Sequence, residues 1–139
     1  MGTRRKSREF ALQCLYQIEL SREDPEQALS LFWAEHPADA EVREYATGLV
    51  RGTCADREKI DLLLARCARN WTLQRMAAVD RNILRLAVYE MRSRKETPPV
   101  VVINEAVDIA KKYSTPDSGA FVNGILDRIH KEAPCDEEA

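Results

Sequence analysis

Apolar residues recur every three to four positions along almost the whole chain, the spacing that places them on one face of an α-helix. In the first segment this stripe consists of Ala11, Leu12, Leu15 and Ile18. No alternation of period two is long enough to indicate a β-strand. The pattern therefore predicts an all-α fold.

Turn and capping signals divide the pattern into about seven helices. The first is predicted over about residues 5–21, and Asp24 followed by Pro25 is typical of a new helix start. A long pattern between residues 42 and 67 predicts two helices, or one that bends near Gly52. Residues 70–72 fall midway, where they could separate two small helical subdomains that share one interface.

Composition bounds the class of protein. The 139 residues suit one domain, and 45% hydrophobic with 32% charged residues is typical of a soluble globular protein. No apolar run approaches the ~20 residues that cross a bilayer, so we expect no membrane association and a cytoplasmic location.

Motifs for catalysis or metal binding are not found. The sequence has neither a glycine-rich nucleotide loop nor an H-E-x-x-H pair. Its four cysteines form no C-x-x-C pair, so we expect Cys14, Cys54 and Cys67 in the core and Cys135 as an exposed thiol. We expect no enzyme activity, no cofactor and no metal.

Charge is concentrated at the two ends. Residues 1–8 hold Arg4, Arg5, Lys6 and Arg8 with no acid, whereas residues 132–139 are acidic and expected to be disordered. Four basic residues by themselves are either a solvated tail or an RNA contact. The second reading gains weight because the cluster leads into an amphipathic helix and is mostly arginine, whose planar fork pairs with phosphate and stacks on bases.

Three blocks of sequence resemble the NusB family of bacterial transcription antitermination factors. They are REFALQCLYQIEL, VDRNILRLAVYEM, and PPVVVINEAVDIAKKY joined to DSGAFVNGILD, in the order found in the family. The resemblance implies one RNA-binding domain over residues 1–139, with seven helices in two three-helix-type subdomains sharing one core.

The resemblance also implies a function. Family members bind boxA RNA of nascent rRNA transcripts together with the ribosomal protein NusE, in an antitermination complex with RNA polymerase. An alternative is a protein-interaction module, or a factor for rRNA maturation and ribosome assembly, without RNA specificity of its own. A homodimer stays open, because an amphipathic helix can bury its stripe within one chain or across two.

The family's functional surfaces map onto particular positions of this sequence. The RNA-facing positions are Arg4, Arg5, Lys6, Arg8, Gln13, Tyr16, Lys111, Lys112, Asp117, Ser118, Phe121 and Asn123. The NusE-facing positions are Tyr16, Glu19, Asp80, Arg81 and Glu90, whose acids would complement a basic ribosomal protein. The helical stripe places Phe121 in the core, but an aromatic ring in the first turn beside basic residues can also stack on a splayed base, and both roles can hold in part.

Overall fold

The computed structural model describes residues 2–68 and 72–132, and in that part the chain is all-α, as predicted. It contains seven α-helices and one 3₁₀ turn, Leu73–Arg75, between the fourth and fifth helices. The helices are α1 Thr3–Ser21, α2 Pro25–Glu35, α3 Ala40–Ala55, α4 Arg57–Cys67, α5 Ala78–Ser93, α6 Pro99–Tyr113 and α7 Ser118–Glu132. They fall into two compact units, residues 1–55 and residues 56–139.

In the first unit, α1 packs against both α2 and α3. The predicted stripe of α1 is fully buried, since its four apolar residues are each at most 8% exposed. Ser7 ties the start of α1 to α3, because its Oγ donates a hydrogen bond to the carbonyl oxygen of Val42 at 3.0 Å. The predicted cap of α2 is confirmed: the Asp24 carboxylate accepts from the backbone N–H of Glu26 at 3.1 Å.

The second unit is arranged around α5, which packs against α4, α6 and α7. Most of α5 is buried, including the polar side chains of Asn82 and Arg85. Arg85 is held by a two-pronged ion pair with Asp61 of α4, at 2.8 Å from Nε to Oδ1 and 3.0 Å from Nη2 to Oδ2. Its charge is therefore compensated inside the unit.

The long pattern forms two helices, which confirms the first of the two predicted arrangements. The break lies at Asp56, and Gly52 lies inside α3. Pro99 occupies the first turn of α6, where its missing N–H costs no helical hydrogen bond. Glu132, expected in the disordered tail, is the last residue of α7, and residues 133–139 lie outside the described part.

The cysteines only partly follow the prediction. Cys14 and Cys67 are buried, Cys54 is half-buried, and Cys135 lies outside the described residues. Burial, with smaller contributions from Cys54 and Glu23, raises the pKa of the Cys14 thiol to about 12.

None of the helices in the described part is both long and apolar enough to cross a membrane.

Candidate nucleic-acid interface

The basic segment forms the first two turns of α1. Arg4 and Lys6 are exposed and Arg5 is half-buried. The Arg4 guanidinium lies over the ring of the buried Tyr45 in α3, with Cζ 3.6 Å from the ring centroid. This cation–π contact orients the arginine while leaving its charge at the surface.

Arg8, which the resemblance makes an RNA-facing position, does not lie at the surface. Its side chain is only 5% exposed. The reason is its spacing, since Arg8 lies four residues before Leu12 and seven before Leu15, so all three share the buried face. The exposed part of the basic segment therefore consists of Arg4, Arg5 and Lys6.

The opposite face of α1 carries three of the residues predicted to face RNA. Lys6, Gln13 and Tyr16 lie seven and three residues apart, which places them on one side of the helix. Tyr16 is 37% exposed, and Gln13 and Glu19 are half-buried. The first unit thus presents a lysine, an amide and an aromatic ring along one outer face.

In the second unit, Lys111 and Lys112 form the last turn of α6 and are exposed. Gly119, in the first turn of α7, makes room for one of them: a Cβ at this glycine would lie 3.0 Å from Lys111 Cε and 3.2 Å from its Cγ. The apolar stem of Lys111 therefore runs close over the start of α7. Its cation lies next to the predicted residues of that helix.

Three predicted residues, Asp117, Ser118 and Phe121, line a cavity of about 320 Å³ between the 3₁₀ turn and the start of α7. Met76, Ala77, Asp80, Asp117 and Phe121 all line it. Phe121 is half-buried, so its ring is neither fully core nor fully open, as both of its predicted roles allow. Asn123 is exposed on the same helix, outside the cavity lining.

Ser118 is buried and acts as a hydrogen-bond centre. Its Oγ lies 3.1 Å from Asp80 Oδ2, 2.9 Å from the Ser114 hydroxyl and 3.0 Å from the Thr115 hydroxyl. It therefore joins the loop before α7 to the first turn of α5. The sequence contains no signal for this link, because it depends on packing between residues 38 positions apart.

The predicted partner-facing residues of α5 are less exposed than a solvated charged face would be. Asp80 is 8% exposed and Glu90 only 1%. Glu90 lies three residues after Ala87 and seven after Ile83, so it shares their buried face. Arg81 donates from Nη1 to the carbonyl oxygens of Leu73 at 2.7 Å and Met76 at 2.9 Å. A binding role for these residues stays a prediction.

A second groove, between α2 and α3 in the first unit, was not predicted. Its wall includes Trp33, whose Nε1 donates to Thr47 Oγ1 at 3.0 Å, and the bidentate pair of Arg51 with Glu26. In neither unit does the described part of the chain bring together three side chains suited to hold a metal ion.

The model of the NusB family matches residues 5–131, nearly the whole chain. The chain belongs to the NusB family. It is 48% identical to the transcription antitermination protein NusB of Anaeromyxobacter dehalogenans over 132 residues, covering 94% of this chain and 92% of the relative. Identity to the NusB protein of Sorangium cellulosum is 45% over 129 residues, covering 93% and 92% respectively.

Solved structures of the family have the same fold. T. maritima NusB superposes with a TM-score of 0.88 at 44% identity, covering 97% of this chain and 95% of that one. A structure of the antitermination factors NusB and NusE in complex with dsRNA gives a TM-score of 0.86 at 32% identity, covering 94% and 98%. The seven-helix architecture expected from the resemblance is confirmed.

Proposed function

We propose that this protein is a transcription antitermination factor that binds boxA RNA of nascent rRNA transcripts together with NusE, within a complex of RNA polymerase. The observation that carries the proposal is the exposed basic turn that opens α1 in a chain of this family. Support comes from curated relatives named for antitermination and from a structural neighbour that contains NusB, NusE and RNA.

The basic segment supplies attraction to phosphate with little sequence choice. Three cations that are exposed or half-exposed correspond, on a single strand, to a salt slope of only about −2, which is a modest electrostatic contribution. The protein therefore gains specificity from further contacts near Phe121 and from its partner. Because the cations alone contribute little affinity, tight binding of RNA requires NusE.

We infer that it acts by binding, with no catalytic step, and that it works in the cytoplasm, where nascent transcripts are made. The relatives are named for transcription antitermination, and the sequence carries no catalytic motif that we recognise.

The test is the equilibrium affinity of the full chain for boxA RNA and for a scrambled RNA of equal length, with and without NusE. We expect weak binding of both RNAs by the chain alone, and a selective gain for boxA when NusE is added. Equal affinity for the two RNAs in the presence of NusE would instead support a protein-interaction module without RNA specificity.

A further inference from the structure

The first turn of α7 packs against the end of α6 at a position without a side chain. Gly119 is buried there, and a Cβ added to it would lie 3.0 Å from Lys111 Cε, 3.2 Å from Lys111 Cγ and 3.4 Å from Val107 Cγ1. The two distances to Lys111 are shorter than the optimal separation of carbon atoms, about 3.5–4.0 Å. The lysine stem therefore occupies part of the space that a side chain at position 119 would need.

The backbone gives no other reason for a glycine at this position. No glycine in the described part of the chain has a positive φ, so the conformation of Gly119 is open to any residue. Helix propensity also disfavours glycine, which is less favourable than alanine within a helix. What Gly119 provides is room for the side chain of Lys111.

This room fixes where the cation of Lys111 lies. Lys111 is exposed in the last turn of α6, and Val107 lies on the same face of the helix one turn earlier. Both Cγ and Cε of Lys111 lie against Gly119, and Nζ is one bond beyond Cε, so the charge is held beside the first turn of α7. Lys112 is directed elsewhere, because its Nζ lies over the ring of Tyr113, 5.4 Å from the centroid.

A lysine held in this way is prepared for an anionic ligand. An exposed lysine samples many rotamers and loses that freedom when its ammonium group pairs with a phosphate. A stem that already packs along α7 has less freedom to lose, and such preorganisation increases affinity. The packing of Lys111 on Gly119 therefore favours binding without any contact between Gly119 and the ligand.

We propose that Gly119 is a positioning residue for RNA binding, which directs the ammonium group of Lys111 along the start of α7 towards a phosphate of the RNA. This rests on the proposed function, namely that single-stranded RNA is the ligand. Gly119 acts only through Lys111, so its effect depends on the charge of that lysine.

The experiment measures the affinity of the full chain with NusE for boxA RNA across a range of salt concentrations. Gly119→Ala displaces the lysine stem and should lower affinity by up to about 5-fold at 100 mM salt, with a salt slope shallower by up to about 0.7, the contribution of one phosphate on a single strand. Its melting temperature should not fall, because an exposed lysine can adopt another rotamer and alanine favours the helix.

Gly124→Ala is the matched control, because Gly124 lies in the same helix and a Cβ there would meet nothing within 4 Å. It should leave affinity and slope unchanged. Lys111→Met keeps an apolar stem and removes the charge, so it should lower affinity by itself, and adding Gly119→Ala to it should cause no further loss. In a Lys112→Ala background the loss caused by Gly119→Ala should remain.

Unchanged affinity and slope in Gly119→Ala would overturn the inference, and so would an equal loss from Gly119→Ala in the Lys111→Met background. A Gly119→Ala variant that melts well below the unaltered chain, or does not fold, would assign the glycine to helix packing instead. The proposed function fails separately, if boxA binds no better than scrambled RNA in the presence of NusE. A retained boxA preference with no effect of Gly119→Ala contradicts only the positioning role.

Discussion

Replacing Arg4, Arg5 and Lys6 together by alanine removes the three cations that the basic segment exposes or half-exposes, and leaves the buried Arg8 in place. On a single strand each neutralised phosphate contributes about 0.7 to the slope of log affinity against log salt, so the three account for about 2.1. This corresponds to roughly an 18-fold change in affinity between 50 and 200 mM salt. Had Arg8 also contributed, the slope would be about 2.8 and the change nearly 50-fold.

The assay is fluorescence anisotropy of labelled boxA RNA with the protein and NusE across that salt range. The triple variant should have a slope shallower by about 2, with helicity unchanged, because the three side chains lie in the first turn of α1 and the Arg4 contact with Tyr45 is worth only about 0.5–1 kcal/mol. Arg8→Met is the internal comparison and should lower the melting temperature while keeping the slope. If Arg8→Met reduced the salt slope as much as the replacement of one exposed cation does, Arg8 would contact RNA, contrary to what its burial predicts.

Buried groups of both units give two further expected outcomes, on stability and on its pH dependence. Asp61→Ala removes the carboxylate that pairs with the buried Arg85 and should lower the free energy of unfolding in urea by about 3 kcal/mol. Glu26→Ala breaks an equally short pair with Arg51 at an exposed site and should change the unfolding curve little. Equal losses in the two variants would contradict the role of burial. The Cys14 pKa of about 12 exceeds the ordinary value of 9.0, so the unfolded state loses this proton first and stability should fall as pH rises from about 9 towards 12. Cys14→Ala should flatten that fall, and an identical pH dependence in both proteins would speak against it.

Much of the fold follows from the spacing of apolar residues. The stripe from Ala11 to Ile18 is buried as predicted, and the Asp24 cap opens α2 where the capping pattern indicates. These features depend on neighbours within a few residues, so local sequence contains the necessary information. The alternative of one helix bent near Gly52 did not form, because a glycine inside a helix costs only about 1 kcal/mol and α3 continues through it to Ala55.

The site was harder to predict, for two different reasons. The spacing of Arg8 to Leu12 and of Glu90 to Ile83 predicts that both side chains are buried. Their charge predicts the opposite, and here the spacing gives the correct result. The bond between Ser118 and Asp80 could not have been read in this way, because it joins two helices through tertiary packing. Sequence spacing therefore locates a side chain on its own helix but not the partners it meets on another.

We propose that the protein makes RNA polymerase read through terminators by binding boxA with NusE. The most direct test is transcription in vitro on matched templates with an intact or scrambled boxA upstream of a terminator, in reactions containing polymerase, the other antitermination factors and NusE. Adding the protein should raise read-through only on the intact template, and the Arg4, Arg5 and Lys6 triple-alanine variant should raise it less. Read-through that rises equally on both templates, or not at all, would contradict the claim.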